Sequence, residues 1–159
     1  MGGDQAISWR QSLSENYTDG ILIMHRGQVV YEYYSGCLDR EGRHIAMSVT
    51  KSYVGLLAEI LIADGALDES ASVTAYVPEL ADSAFGDATV RQVMDMTTGV
   101  RFNEDYADPD ADIWMYAAAG DPTPKPTDYP GPRNYYEYLQ GVQSEGPHGE
   151  AFAYKSINT

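Results

Sequence analysis

The stretch Ser48-Val49-Thr50-Lys51, followed by the apolar run at 53–62, is the part of the sequence that decides the fold. Apolar residues recur in this run at helical spacing, and Gly65 stands where a helix would end. The pattern predicts a helix over 48–64 with most of its surface buried. Ser48 and Lys51 lie three residues apart, so their side chains share one face of that helix.

A serine and a lysine on one helical face form a candidate pair for acyl transfer. A serine hydroxyl is a weak nucleophile until a base takes its proton, and a lysine kept unprotonated by burial can be that base. The pair also has an ordinary explanation, because serine is a preferred N-cap residue and a lysine in the first turn is commonly solvated. The residues of this stretch alone leave both explanations open.

Composition restricts the partners of the protein. The chain has 159 residues, of which 43% are hydrophobic, and this suits one domain with a core of its own. It carries 24 acidic and 10 basic residues, for a formal net charge of −14. Nucleic acid and anionic membrane surfaces are therefore disfavoured as partners, and a small molecule is expected. The composition predicts no particular oligomeric state.

Neither a metal nor a cofactor is expected from the sequence. Cys37 is the only cysteine, which excludes an internal disulfide and a cysteine-rich zinc site. Asp108, Asp110 and Asp112 alternate like the opening of a calcium loop, but Ile113 stands where a glycine must turn the chain. The N-terminal residues lack the pattern of a secretory signal, and no apolar run is long enough for a bilayer, so a cytoplasmic location is expected.

The remaining patterns predict an α/β fold, with a small sheet before the helix and a helical region after it. Two β-prone runs flank Arg26-Gly27 and predict a hairpin over 20–36, which needs a larger sheet to be stable. The region 65–149 is predicted to contain long irregular loops and short helices at 89–96, 113–119 and 135–142. The last residues have the composition of the start of a further element.

Three short segments match the motifs of one protein family. Residues 47–51 contain S-x-x-K at a predicted helix start, residues 89–99 consist of a predicted helix followed by threonine and glycine, and residues 154–158 begin with a tyrosine. In this order they resemble the serine β-lactamase and penicillin-binding protein family. The resemblance is greatest to the branch that includes 6-aminohexanoate-dimer hydrolases, and it covers most of residues 20–159.

The resemblance implies an incomplete transpeptidase-like domain over 1–159. Members of the family are longer, so the chain would be a central fragment without the C-terminal part, which carries the third motif and an oxyanion donor. Ser48 would attack an amide or ester carbonyl, Lys51 would take its proton, and Tyr154 would relay a proton to the leaving amine. Tyr106 and Asn158 would bind the substrate, although class C enzymes separate their tyrosine and asparagine by one residue and this chain separates them by three.

Several alternatives remain open at this point. A non-catalytic ligand-binding or sensor module of the same fold would acylate once without turnover, and a carboxylesterase or a β-lactamase would carry the same motifs. Tyr154 could be a packed aromatic beside Phe152, and Tyr106 could anchor an acidic turn. An aromatic cluster could line a substrate cleft or pin a loop to the body; its members are Trp114, Tyr116, Tyr129, Tyr135 and Tyr136.

Overall fold

A β-hairpin organises the first of two compact units in the computed structural model, which describes residues 6–159. Strands β1 (Gly20–His25) and β2 (Gln28–Tyr34) pair antiparallel within the predicted range of 20–36. Arg26 and Gly27 both have positive φ, as the tight turn of a two-residue hairpin loop requires. A helix that the sequence patterns did not predict, α1 (Trp9–Glu15), precedes the hairpin and is capped by the Ser8 side chain.

The second unit, Ser48–Thr159, is mainly helical. Its helices are α2 (Val49–Ala63), α3 (Val90–Met94), α4 (Asp112–Gly120) and α5 (Tyr135–Gln140). Short 3₁₀ turns lie at Val73–Ala75, Pro78–Leu80 and Ser156–Asn158.

Helices α3 and α5 end two residues before their predicted positions, whereas α2 differs from its predicted range by one residue at each end. α3 covers five residues, and a reciprocal capping box between Thr89 and Gln92 sets its start. α5 stops at Gln140 because Gly141 ends the helix as its C-cap, so the predicted extension to residue 142 is wrong. In both cases the helix ends where the chain turns into a loop of the unit.

The core of the second unit is built around α4 and the loops that flank it. Phe102 packs edge-on against Tyr116 of α4, with ring centroids 5.9 Å apart, and Val100 is fully buried. The cluster consists of Leu80, Phe85, Val100, Phe102, Ala111, Ile113, Tyr116, Val142 and Ile157. Because Ile157 belongs to this core, the C-terminal residues are packed against the body of the unit.

Helix α2 departs from its sequence prediction. No residue of α2 is buried, so the expectation that most of its surface would be covered is wrong. Leu56 and Leu57, for example, are 59% and 60% exposed. Periodicity reports that a helix carries apolar side chains, but burial needs a packing element, and the core of this unit is built elsewhere. No helix within residues 6–159 is both long and apolar enough to cross a membrane.

Candidate active site

Ser48 stands at the N-cap position of α2, but its hydroxyl does not cap the helix. Its backbone is helical, with φ −68° and ψ −11°, whereas a capping serine normally has an extended conformation. The Ser48 carbonyl accepts the Lys51 N–H at 3.0 Å, which closes a tight first turn. The capping explanation for Ser48 therefore does not hold, and its Oγ faces other partners.

Two side chains, those of Lys51 and Tyr154, contact the Ser48 hydroxyl. Lys51 Nζ donates to Ser48 Oγ at 3.0 Å, as expected for two residues on one helical face. Tyr154 donates its O–H to the same oxygen at 2.7 Å, across 106 residues of sequence. Lys51 Nζ also lies 5.6 Å from the centroid of the Tyr154 ring. Two proton-carrying groups thus contact one hydroxyl oxygen.

The segment 153–158 is held to the second unit on both sides of Tyr154. The Ala153 N–H donates to the carbonyl oxygen of Met96 at 2.9 Å. Lys155 is 8% exposed, and its ammonium donates to the Val100 carbonyl and pairs with Glu145. These contacts turn the Lys155 side chain into the unit, since neighbouring side chains of an extended backbone point in opposite directions.

Tyr154 is not a packed aromatic. Its side chain is 47% exposed, and Phe152, its proposed packing neighbour, is 69% exposed. The structure therefore leaves the hydrogen bond to Ser48 as the principal contact of the Tyr154 hydroxyl.

The surroundings of Tyr154 favour its ionised form. The hydrogen bond with Ser48 lowers the pKa of Tyr154, Lys51 lowers it further, and partial burial opposes both. Tyr138 behaves in the opposite way, because burial raises the pKa of that phenol to about 12. A phenol with a lowered pKa gives up its proton at a lower pH than an ordinary tyrosine does, which brings it closer to the range of a useful proton donor.

We expect the phenol of Tyr154 to titrate below the ordinary tyrosine value of 10.0. The measurement is the phenolate absorbance of the wild-type protein against pH, minus that of Tyr154→Phe. The matched control is the same difference for Tyr138→Phe, which should titrate at about 12. A Tyr154 midpoint at or above 10.0 would contradict the geometry described here.

Tyr106 lies on an exposed loop that also contains Glu104. Its hydroxyl donates to Glu104 Oε1 at 2.9 Å, and this hydrogen bond raises the pKa of Tyr106. Its ring packs edge-on against Trp114, with centroids 5.8 Å apart. Tyr106 and Trp114 line a shallow cavity of about 300 Å³ together with Ala107 and Pro109. The loop thus presents an aromatic wall to solvent.

Asn158 is buried at the end of the tyrosine segment. Its Oδ1 accepts the Thr98 hydroxyl at 2.7 Å, and only 7% of the residue is exposed. Its Nδ2 has no hydrogen-bond partner within the part of the chain that the structure describes. A buried amide donor without a partner is costly, so Asn158 Nδ2 is an exception among the buried polar groups of this unit.

The aromatic cluster of the long loops does not form one cleft. Tyr116 is buried and stacks on Tyr135, with ring centroids 4.5 Å apart and an interplanar angle of 23°. Tyr136, in contrast, is 61% exposed. Tyr116 and Tyr135 therefore pack against each other at the core. Trp114 instead packs against Tyr106 on the exposed loop.

Two of the three alternating aspartates, Asp108 and Asp112, accept hydrogen bonds from neighbouring residues through their carboxylates. Asp112 Oδ2 accepts the Asn103 N–H at 2.7 Å, and Asp108 Oδ1 accepts the Asp110 N–H at 3.0 Å. Across residues 6–159, no group of three or more metal-ligating side chains has the geometry to hold an ion.

A cavity of about 460 Å³ lies beside α4 and α5 and is larger than the cavity beside Tyr106 and Trp114. None of the predicted site residues lines it.

Glu104 and Ser156 are two further residues of the site that were not predicted from the sequence. Ser156 is buried two residues after Tyr154, and its backbone and side chain both donate to Glu104. The available signal was the position of Ser156 inside the tyrosine motif. No sequence pattern predicted that the Ser156 hydroxyl would donate a hydrogen bond to a carboxylate 52 residues earlier in the chain.

Comparisons with known proteins find relatives of this chain in sequence and in fold. A sequence model described as β-lactamase matches residues 13–159. The chain is 39% identical to the 6-aminohexanoate-dimer hydrolase of Paenarthrobacter ureafaciens over 150 residues, which is 94% of this chain and 37% of the relative. It superposes on a solved Bacillus anthracis protein, provisionally named a 6-aminohexanoate-dimer hydrolase, with a TM-score of 0.81 and 29% identity. That alignment covers 98% of this chain and 41% of the other, so the chain spans about two fifths of these relatives.

Proposed function

The chain belongs to the β-lactamase family, and we propose that the protein is a serine hydrolase that cleaves amide or ester bonds through an acyl-enzyme on Ser48. The observation that carries the proposal is the convergence of Lys51 Nζ and the Tyr154 hydroxyl on Ser48 Oγ, at 3.0 and 2.7 Å. These distances lie within the range that proton transfer to and from a nucleophile requires.

The proposed reaction has two stages. In acylation, Ser48 Oγ attacks the carbonyl carbon, Lys51 takes the serine proton, and Tyr154 passes a proton to the leaving amine or alcohol. Lys51 then returns the proton it took to Tyr154, so that both groups are reset. In deacylation, a water molecule attacks the ester carbonyl carbon, its O–H becomes part of the released carboxylic acid, and its other proton passes through Lys51 and Tyr154 to Ser48 Oγ as the ester bond breaks. The lowered pKa of Tyr154 supports its role as proton donor to the leaving group, because this phenol gives up its proton more easily than an unperturbed one.

The backbone N–H of Ser48 is the oxyanion donor that we assign to this chain. It lies at the start of α2, where the free N–H groups of the first turn favour negative charge. A tetrahedral intermediate places its oxygen close to the nucleophile, so the amide of the nucleophile is a suitable donor.

For the substrate we propose a linear amide of the 6-aminohexanoate-dimer type. The relative from P. ureafaciens and the B. anthracis protein both carry that name. The exposed wall formed by Tyr106 and Trp114 suits an extended, partly apolar chain, because aromatic faces bind methylene groups. The expected site is small-molecule sized.

Tyr106 and Asn158 are the substrate-binding residues in this proposal. Tyr106 has an exposed ring, and the Glu104 hydrogen bond keeps its phenol protonated. Asn158 has a buried Nδ2 without a partner among residues 6–159, which supports a hydrogen bond to a substrate carbonyl oxygen. The Thr98 hydroxyl fixes the other end of that amide and so determines which atom is free to donate.

Turnover is the experiment that tests the proposed function. The protein expressed from its complete reading frame is incubated with a linear 6-aminohexanoate dimer, a carboxylic ester and a β-lactam. A hydrolase releases product in excess of enzyme, with on the order of ten or more turnovers for at least one linear substrate.

The other outcomes identify the rivals. One equivalent of product, with the protein left modified in its intact mass, would indicate a sensor module that acylates without turnover. Preferential turnover of the β-lactam would indicate a β-lactamase, and turnover of the ester alone would indicate a carboxylesterase. Each of these results contradicts the linear-amide substrate.

A further inference from the structure

The Glu104 carboxylate joins the loop that carries Tyr106 to the segment that carries Tyr154. Its Oε2 accepts the Ser156 N–H at 2.7 Å. Its Oε1 accepts the Ser156 hydroxyl at 2.6 Å and the Tyr106 hydroxyl at 2.9 Å. Hydrogen bonds to an ionised acceptor are about twice as strong as neutral ones, so three of them on one carboxylate form a firm junction.

We propose that Glu104 is a positioning residue for acyl transfer, which holds the Tyr154 hydroxyl against Ser48 Oγ through its two hydrogen bonds to Ser156. The proposal rests on the serine-hydrolase function proposed above. Ser156 follows Tyr154 by two residues, so fixing its N–H and its hydroxyl restricts the backbone that aims the tyrosine.

The rest of the segment shows why this junction matters. Lys155 anchors the chain on the opposite side, through the Val100 carbonyl and Glu145. Tyr154 is 47% exposed and has little packing of its own to fix its ring. Its 2.7 Å contact with Ser48 therefore depends on the anchors of its neighbours. A displacement of about 1 Å at a reacting group can cost on the order of a hundredfold in rate.

The charged groups around Glu104 and Ser156 shift the pKa values of Tyr154 and Tyr106 in opposite directions. Lys51 of α2 faces Tyr154, and together with Ser48 it lowers the pKa of that phenol. Glu104 faces Tyr106 and raises the pKa of that one. Tyr106 therefore stays a hydrogen-bond donor to Glu104, whereas Tyr154 exchanges its proton at Ser48.

The test is Glu104→Ala in the protein expressed from its complete reading frame. The first readout is the rate at which a phosphonate probe acylates the protein, followed by intact mass, and we expect a fall of about ten- to a hundredfold. An unchanged rate would overturn the proposal.

The second readout is the titration of Tyr154, taken as the absorbance difference between Glu104→Ala and its double variant with Tyr154→Phe. Removing a negative charge alone would lower the pKa of a nearby phenol. Loss of positioning would raise it, because Tyr154 would leave Ser48 and Lys51, the groups that lower it. A rise of the midpoint relative to the wild-type protein supports the proposal, and a fall or no change overturns it.

Glu137→Ala is the matched control. The Glu137 carboxylate also accepts a backbone N–H and a side-chain amide, from Arg133 at 2.8 Å and Asn134 at 3.2 Å, but at the start of α5. We expect this variant to acylate and titrate like the wild-type protein. An equal slowing in both variants would mean general loosening of the unit and would overturn the specific role of Glu104.

Failure of the inference is distinguishable from failure of the proposed function. If the wild-type protein forms no adduct, the hydrolase function fails, and the titration of Tyr154 still reports on positioning by itself. If the wild-type protein reacts and Glu104→Ala reacts equally fast, only the inference fails. Should Glu104→Ala not fold, Glu104→Gln removes the charge with less loss of volume, and the same signs apply.

Discussion

Replacing Ser48 with alanine should abolish covalent labelling by a serine-reactive phosphonate or acyl probe. The wild-type protein should gain the mass of one adduct, and Ser48→Ala should lose it, with a fall in labelling rate of about a thousandfold or more. The reason is that Ser48 Oγ is the atom that both Lys51 and Tyr154 contact, and alanine supplies no nucleophile in its place. Intact-mass spectrometry of the purified protein makes the measurement.

Ser52→Ala is the control for this prediction. Ser52 is an exposed serine on the same helix, one residue after Lys51, and it has the same intrinsic reactivity as any solvated hydroxyl. Its replacement should leave the adduct unchanged. If labelling persists in Ser48→Ala and disappears in Ser52→Ala, the assignment of the nucleophile is wrong.

Replacing Gly99 with alanine should destabilise the second unit by about 3 kcal/mol or more. A Cβ at residue 99 would lie 2.1 Å from the Gly146 carbonyl oxygen and 2.6 Å from that of Pro147, so the obstacle is backbone that cannot rotate away. The same residue donates its N–H to His148 Nδ1 at 2.9 Å. The free energy of unfolding, measured by chemical denaturation, reports the loss.

Replacing Gly55 with alanine should instead raise the free energy of unfolding. Gly55 lies inside α2, and a Cβ there meets no heavy atom within 4 Å. Alanine stabilises a helix interior relative to glycine by about 0.5–1 kcal/mol, because it loses less backbone entropy on folding. Equal effects of the two substitutions would show that the close approach at Gly99 does not exist in solution.

The local elements of this chain could be predicted from short-range patterns. The hairpin follows from two β-prone runs around Arg26-Gly27, and its turn adopts the positive φ values that such a turn requires. The start of α2 follows from the apolar periodicity after residue 48, since helix formation depends on neighbours three and four residues apart. The ends of α3 and α5 were less predictable, because capping contacts decide them.

The exposure of α2 shows what these short-range patterns do not predict. The same periodicity that located the helix predicted that it would be covered, yet its apolar residues are exposed in the structure. The periodicity of apolar residues belongs to one segment, whereas burial requires a second element that packs against that segment. The core instead gathers α4 and loop residues that are far apart in sequence.

The pairing of Ser48 with Lys51 could be predicted from their spacing alone, because one turn of helix brings residues three apart into contact. The sequence also carried the motif order that resembles one family of serine enzymes. Only the tertiary structure decided that Tyr154 reaches the same oxygen across 106 residues, and that Glu104 holds the segment behind it. Contacts over such distances depend on the path of the whole chain and the packing of its core, which no local spacing encodes.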